Sequence, residues 1–478
     1  MNKKDPTWKL PAMDLIRNNK KPVNYSFFQL NIKYADLGIG KKCLVKTYGC
    51  QANERDSEVI QGILKLLGYT FTTLVEEADL IILNTCAVRK TAEDKVIGEI
   101  GSLAKIKRIN PNMIIAVCGC MAQEEEMVNL ILEKYRQVDL IFGTHNINNL
   151  PELLAKCYNQ DKRVVEVFSD VFEVVENIPS LRFKEHKAWI NIMYGCDKFC
   201  TYCIVPFTRG RQRSRRSSDI IEEIKECLSL GYQEITLLGQ NVNAYGKDLS
   251  GELNFAELLS QCAKLPIPRL RFVTSHPWDF SDEMIKVIST CDNIMPHIHL
   301  PVQSGDNDIL RKMARRYTIE DYLILFDKLK NSKKDLAFST DIIVGFPGET
   351  DSQFENTLKV VDYCKFDNIF SFIYSPREKT PASLMADDVD VEIKKERLKI
   401  LNGRFKPLAL ANAQKYLDQT VEVLVDGFSK KKSSIFSGYT DTNKVVNFVS
   451  NRNLISGELV NVKINKVKTF TLEGKELK

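Results

Sequence analysis

The chain is short of several things, and each absence narrows what it can be. No run of about 18 apolar residues occurs in the 478-residue sequence, so no membrane-spanning helix is expected. The opening Met1-Asn-Lys-Lys-Asp-Pro-Thr-Trp has no apolar run after its charges, so no secretory signal is expected there. Charge of one sign is scarce as well: a net +5 is too mild to assign a partner by itself. The 13 cysteines lack the dense, even spacing of a disulfide framework and suit a reducing cytoplasm and metal work. With 44% hydrophobic and 27% charged residues the composition is that of an ordinary globular protein, long enough for about three domains.

A further absence is more telling. Gly195-Cys196-Asp197-Lys198-Phe199-Cys200-Thr201-Tyr202-Cys203 places three thiols within eight residues and supplies no fourth. Iron–sulfur clusters are normally held by four thiolates, so three would leave one iron open to a substrate or cofactor. Zinc sites usually come as paired C-x2-C with four ligands, a different spacing.

Residues 1–40 are polar without sustained period and read as an extension that wraps on the body. From residue 42, apolar runs at 43–48, 79–83, 113–117 and 138–142 alternate with helical periodicity at 54–67, 91–106 and 123–134. Such alternation predicts an α/β domain over 41–158 with a doubly wound parallel sheet. Cys50, Cys86 and Cys120 each follow one of its strands, at the edge where open α/β sheets build their sites. Recurring once per βα unit, three thiols there can converge on one centre. Spacing alone leaves Cys118 open beside Cys120, although Cys120 lies further past its strand. Cys43, Cys157, Cys227, Cys262, Cys291 and Cys364 are isolated in apolar segments and read as core cysteines.

After a charged connector around 158–186, strands are expected at 189–194, 234–238, 270–274, 297–300, 336–343 and 368–374. Six βα units predict an incomplete (β/α)6 barrel over 182–412, with function at the carboxyl ends of its strands. Gln240, Asn241, Ser275 and Gln303 in the loops there, with Asp341 on the fifth strand, are candidates to bind a small polar cofactor. His276 reads equally as a base or as a hydrogen-bonded loop histidine; His297 and His299, alternating on one strand, read as structural.

From about residue 414 the helical pattern stops. Short strands at 420–425, 434–439, 444–448, 457–463 and 467–472, with turn signals between them, predict a small antiparallel β-barrel over 414–478. Residues 415–478 carry 11 Lys and Arg against 7 Asp and Glu, four of the chain's five net positive charges. Lys430, Lys431 and Lys432, on a loop, suit the phosphates of RNA. Arg209, Arg211 and Arg213 lie just past the cysteine stretch. They suit a polyanion brought to the active edge, or ion pairs that hold the barrel together.

Cys-x3-Cys-x2-Cys with an aromatic before the last cysteine resembles the radical S-adenosylmethionine signature. It stands here with Thr47-Tyr-Gly-Cys50-Gln-Ala-Asn-Glu-Arg-Asp-Ser57, Asn84-Thr-Cys86-Ala-Val-Arg89, Gly119-Cys120-Met-Ala-Gln123, Arg209-Gly-Arg211 and Tyr374-Ser-Pro-Arg377. Together these resemble the methylthiotransferase family of radical S-adenosylmethionine enzymes, from about residue 40 to the end; the long leader departs from shorter members.

The resemblance implies a methylthiotransferase domain, a radical barrel and a C-terminal TRAM domain. It implies two [4Fe–4S] clusters. Cys196, Cys200 and Cys203 would hold the one that reductively cleaves S-adenosylmethionine, with Tyr202 near the adenine. Cys50, Cys86 and Cys120 would hold an auxiliary cluster carrying the sulfur to be inserted, which favours Cys120 over Cys118. The implied reaction puts a methylthio group on C2 of N6-isopentenyladenosine at tRNA position 37, a carbon whose C–H bond side-chain acids and bases cannot open. Two equivalents of S-adenosylmethionine would serve, one as radical source and one as methyl donor. An electron donor and a sulfur source are implied too, for a cytoplasmic protein that need be no more than a monomer. Sister enzymes act on N6-threonylcarbamoyladenosine of tRNA or on a ribosomal-protein aspartate. A non-catalytic iron–sulfur RNA-binding protein is a distant alternative, opposed by the two three-cysteine sets.

Overall fold

The computed structural model describes residues 13–477 except 20, 89, 160–162, 169–171, 333–334 and 430–431; for 14, 15, 432 and 433 it describes the backbone only. The chain divides into two compact units. The first holds the described residues up to Phe183, with Met193–Arg215 and Pro376–Leu384; the second holds Lys184–Ile192, Arg216–Ser375 and the rest from Met385.

The first unit is built on a six-stranded, all-parallel sheet. Its spatial order is Thr70–Phe71, Lys42–Tyr48, Leu80–Thr85, Ile114–Gly119, Leu140–Phe142 and Val164–Glu166. Side chains alternate between its two faces. Ile82, Ala116 and Phe142 pack with Ile60, Ile63 and Leu64 of the helix Gln51–Leu66 and Leu153 of Leu150–Asn159. Ile81, Leu83 and Val117 pack with Val96 and Ile100 of Lys90–Ile109 and Val128 of Glu125–Lys134. Helices therefore cover both faces, as the continuous apolar strands require. The two edge strands were not expected; at two and three residues they are too short to show a period.

The leader packs onto this unit. Its strand Asn24–Phe27 pairs in parallel with Glu173–Glu176, and Tyr25 Oη donates to the Ser214 carbonyl at 2.7 Å.

In the second unit six parallel strands follow one another in sequence order. Lys187–Asn191, Glu234–Leu238 and Arg269–Phe272 form one sheet, and His297–His299, Ala337–Val344 and Asn368–Ile373 the next. A parallel bridge from Leu270 to Ile294 joins the two sets into the open, incomplete barrel that the six βα units predict. Capping boxes at Asn254, Thr318 and Thr350 start three of the outer helices.

The helix Val391–Gln414 leads into a closed five-stranded barrel, in the ring order Thr420–Ser429, Lys432–Thr440, Val445–Val449, Thr471–Glu476, Leu459–Val467. The small antiparallel barrel that the sequence predicts is closed by one parallel ladder, between Val445–Val449 and Thr471–Glu476. A ring with an odd number of strands cannot alternate direction all the way round, so one ladder must be parallel. Ala413 and Tyr416, at the end of the long helix, join Val423, Phe436, Val446 and Val462 in the barrel core.

Polar anchors fix this barrel within the second unit. The fully buried Arg269 donates to the carbonyls of Tyr439 (2.8 Å) and Glu422 (3.2 Å) and pairs with the Glu422 carboxylate (3.0 Å). Arg271, two residues on and on the same face, donates to the Thr440 carbonyl (3.0 Å) and to Glu234 (2.7 Å). No helix among the described residues is long and apolar enough to cross a membrane.

Candidate metal centre and cofactor site

Cys50, Cys86 and Cys120 directly follow Lys42–Tyr48, Leu80–Thr85 and Ile114–Gly119 or lie one residue beyond. The first two of these strands are neighbours at the point where the strand order reverses. That crevice is where open α/β sheets take their ligands.

A buried amide network registers the three loops. Asn53 Nδ2 donates to Asn84 Oδ1 and to the Thr85 carbonyl, both at 3.1 Å. Asn84 Nδ2 donates to the Asn53 carbonyl (2.9 Å) and to Ser57 Oγ (2.8 Å), which Thr47 Oγ1 also meets at 2.7 Å. Gly119, just before Cys120, has φ +91°, and a Cβ there would lie 2.3 Å from Asn84 Oδ1. Only glycine lets the third loop close on the second.

The three thiols also meet electrostatically. Cys50 is the N-cap of the helix Gln51–Leu66. Its thiol is lowered to about 5, first by a hydrogen bond from Cys86, then by Arg209 and by the amides of Asn53 and Ala52, against the opposing effect of burial. Cys86 moves up because it gives that hydrogen bond and is buried, and it senses Cys120 as well. The Val88 N–H donates to Cys86 Sγ at 3.3 Å. Cys120 is raised chiefly by burial. Cys118 instead lies in the apolar core with Ile60 and Leu140.

Three thiols brought together from three loops are a soft donor set of the kind that holds iron–sulfur clusters.

The second cysteine set lies on a loop closed by the antiparallel pair Met193–Tyr194 and Arg213–Ser214. Gly195 has φ +73°, and a Cβ there would lie 2.1 Å from the Arg211 carbonyl, so the loop neck needs glycine. The Cys196 N–H donates to the Gly210 carbonyl (3.2 Å) and the Cys203 N–H to that of Cys200 (3.0 Å). Burial, then the neighbouring Cys203, push the Cys196 thiol up. Tyr202 is half-buried between Cys200 and Cys203. The Ala382 N–H donates to the Thr201 carbonyl at 2.9 Å, and in the same segment Arg377 forms a buried ion pair with Glu93.

The two cysteine loops touch. Cys120 and Ala87 share one buried apolar cluster with Ile204 and Phe207, with Phe199 packed against it and Ile16 of the leader helix Met13–Asn18 within it.

Arg209, Arg211 and Arg213 are each engaged with groups of their own unit. Arg209 makes a buried fork with Asp56, Nη1 to Oδ1 at 3.1 Å and Nη2 to Oδ2 at 2.5 Å. Arg211 holds Asp197 through Nε and Nη2, both at 2.6 Å, and donates to the Arg17 carbonyl at 2.6 Å. Arg213 is buried and donates to the Arg211 carbonyl at 3.0 Å. Lys430 and Lys431 lie outside the described residues, and Lys432 begins the second barrel strand.

Within the second unit the five cofactor candidates fall into a set of three and a set of two. The Val242 N–H donates to the Thr274 carbonyl (3.3 Å), which joins the loop of Gln240 and Asn241 to that of Ser275. Asn241 is buried and donates to Asp279 at 2.7 Å, leaving its Oδ1 without a partner; Ser275 Oγ is likewise buried and unpartnered. Buried polar atoms are nearly always paired, so these two atoms are open to a further hydrogen-bond partner. Gln303 (φ +71°) donates its N–H to the Asp341 carbonyl at 2.9 Å, and the Asp341 carboxylate lies 3.3 Å from His299 Nε2. His276 caps a turn by accepting the Trp278 N–H at Nδ1 (3.3 Å), and His297 and His299 flank Ser339.

Three family profiles match in succession: uncharacterized protein family UPF0004 over residues 42–143, the radical SAM superfamily over 190–361 and the TRAM domain over 414–477. A protein of Staphylococcus saprophyticus named tRNA-2-methylthio-N(6)-dimethylallyladenosine synthase is 52% identical over 460 residues, 96% of this chain and 90% of its own length. A Staphylococcus aureus protein of the same name is 52% identical over 467 residues, 97% and 90% of the two chains. The chain belongs to the tRNA-2-methylthio-N(6)-dimethylallyladenosine synthase family.

As a member of that family it is a radical SAM methylthiotransferase, and a [4Fe–4S] cluster and S-adenosylmethionine belong to its chemistry. In fold it is similar to the radical S-adenosylmethionine methyltransferase TsrM of Kitasatospora setae, solved with tryptophan and a SAM analog. The TM-score is 0.51 at 13% identity, over 72% of this chain and 75% of that one.

Proposed function

We propose that this methylthiotransferase inserts a methylthio group at C2 of N6-isopentenyladenosine at tRNA position 37, using two [4Fe–4S] clusters and two equivalents of S-adenosylmethionine. The observation that carries the reading is the joining, in one compact unit, of two three-cysteine sets through a shared apolar cluster.

In this reading Cys196, Cys200 and Cys203 hold one cluster, and Cys50, Cys86 and Cys120 the auxiliary one. When bound, the first supplies the electron that cleaves S-adenosylmethionine to a hydrogen-abstracting radical, and the second supplies the sulfur. The protein's own work is to bind and align. Asn241 Oδ1 and Ser275 Oγ, with Gln240, Gln303 and Asp341, take the polar groups of S-adenosylmethionine, and Tyr202 lies beside its adenine. The apolar cluster around Cys120 keeps water from the space between the cysteine loops. The target adenosine leaves its stack to reach the site, while Lys430, Lys431 and Lys432 of the terminal barrel contact phosphates.

The working divisions are an extension over 1–40, the auxiliary-cluster domain over 41–158, the radical domain over 182–412 and the RNA-binding barrel over 414–478. The setting is cytoplasmic, with a separate electron donor and sulfur source, and the chain acts as a monomer.

The test is anaerobic reconstitution, incubation with reductant, S-adenosylmethionine and tRNA bearing N6-isopentenyladenosine, then mass spectrometry of the nucleosides. A Cys50→Ala, Cys86→Ala, Cys120→Ala triple variant is run beside it. The expected result is a methylthio gain in the wild type only, with the triple variant still cleaving the cofactor. A gain only on N6-threonylcarbamoyladenosine tRNA or on a ribosomal protein would overturn the substrate. Full activity in the triple variant would overturn the auxiliary cluster.

A further inference from the structure

The leader is fixed at two points to the returning arm of the second cysteine loop, and all of these residues belong to the first unit. At the first point Arg211 Nη1 donates to the carbonyls of Arg17 (2.6 Å), Asn19 (3.3 Å) and Ile16 (3.4 Å), at the carbonyl end of the helix Met13–Asn18. The guanidinium is aimed by Asp197, which takes Nε and Nη2 at 2.6 Å each and accepts the Gln212 N–H at 2.9 Å. It also lies 5.5 Å from the centre of the Phe199 ring. At the second point Tyr25 Oη donates to the Ser214 carbonyl at 2.7 Å, from the strand that pairs with Glu173–Glu176.

A helix of six residues does not hold together by itself in water, so Met13–Asn18 exists because it is docked. Ile16 is 8% exposed and lies in the buried cluster of Ala87, Cys120, Ile204 and Phe207, with Met13 packed against it. Ala87 and Cys120 come from the loops of the first cysteine set, and Ile204 and Phe207 directly follow the second. The leader helix therefore sits on the seam where the two sets of loops meet. It is held there by an apolar side chain and a cationic hook. Segments held by few buried groups open locally long before the sheet beneath them unfolds.

We propose that residues 13–27 form a strap that closes the seam between the two cysteine loops, with Ile16 as its plug and Arg211 as its latch. Cys120 meets solvent through opening of this strap. When closed, the strap keeps oxidants from a thiol that must stay reduced to take up iron. Arg211 is a positioning residue, acting through Asp197 and the leader rather than on any reacting atom. The strap acts on the thiols themselves, so it stands apart from the two-cluster reading.

The experiment alkylates the full-length, reduced, metal-free chain with iodoacetamide and reads each cysteine by peptide mass spectrometry. Wild type is compared with Ile16→Ser, Arg211→Gln and Arg211→Lys. Ile16→Ser removes most of one buried apolar side chain, so Cys120 is expected to react about tenfold faster. Arg211→Gln is expected to act in the same direction, and Arg211→Lys, which keeps a cation at the end of the leader helix, to restore most of the protection. Cys43 and Cys118, fully buried in the sheet core, are the controls and are expected to stay unchanged. A wild-type rate at Cys120 in Ile16→Ser overturns the strap. So does an equal rise at Cys43 or Cys118, because the whole unit has then loosened. Arg211→Lys reacting as fast as Arg211→Gln overturns the latch. Where Ile16→Ser does not fold, Arg211→Gln decides by the same comparison of Cys120 with the two controls.

Discussion

Asn84→Ala tests whether the buried amide network sets the register of the first cysteine loops. The substitution removes three hydrogen bonds: those from Asn84 Nδ2 to the Asn53 carbonyl and to Ser57 Oγ, and the one Asn84 Oδ1 accepts from Asn53 Nδ2. A hydrogen bond contributes roughly 1 kcal/mol net, and a buried group left unpaired costs about 1–3 kcal/mol. Here Asn53 Nδ2 keeps the Thr85 carbonyl and Ser57 Oγ keeps Thr47, so the low end applies. The expected loss is about 2–3 kcal/mol, felt locally at the start of the helix Gln51–Leu66. Native-state hydrogen exchange reads that loss directly, as about 30- to 140-fold faster exchange of the first-turn amides. Exchange in the terminal barrel serves as the control and is expected to stay unchanged. Wild-type exchange rates at residues 51–58 would refute the idea that these side chains, rather than the strands alone, hold the Cys50 loop.

Two other perturbations probe the surrounding charges. The Glu124 carboxyl is pushed up to about 8 by burial and then by Glu93, against Arg377 and Lys90. Its folded form holds the proton more tightly than the unfolded chain. Stability therefore falls as pH rises from the ordinary carboxylate range through about 8, and Glu124→Gln should melt higher than wild type at pH 8 but alike near pH 4; parallel melting curves at both would refute this. Arg269→Ala leaves the Tyr439 and Glu422 carbonyls without their buried donor, at a cost of about 2–4 kcal/mol, and should speed tryptic release of the intact barrel; release at the wild-type rate would count against the anchoring role.

Much of the layout was legible because it is written locally. Strands such as 80–85 and 114–119 are buried on both faces, so their residues are apolar in a row. The helices between them show a single apolar face. Once those elements are located, Cys50, Cys86 and Cys120 fall at one sheet edge by counting. The spacing of Cys196, Cys200 and Cys203 is equally local, since one loop carries all three.

What stayed hidden depends on partners far along the chain. Arg209, Arg211 and Arg213 look like a basic run because sequence shows charge without its counter-charge; Asp56 lies 153 residues from Arg209. Asn53 and Asn84 look like ordinary loop and helix polar residues until the sheet sets their amides side by side, 31 residues apart. Cys118 and Cys120 differ by two positions. Only the third dimension puts one in the apolar core and the other in the cluster shared with Ile204 and Phe207.

By itself the sequence determined the α/β alternation, the two three-cysteine sets and the edges on which they stand, because hydrophobic period and ligand spacing act over a few residues. Tertiary structure alone decided which arginines are buried counter-ions, that Cys118 packs into the apolar core and which barrel ladder runs parallel. Those outcomes depend on burial and on strand closure, which exist only once distant segments have packed.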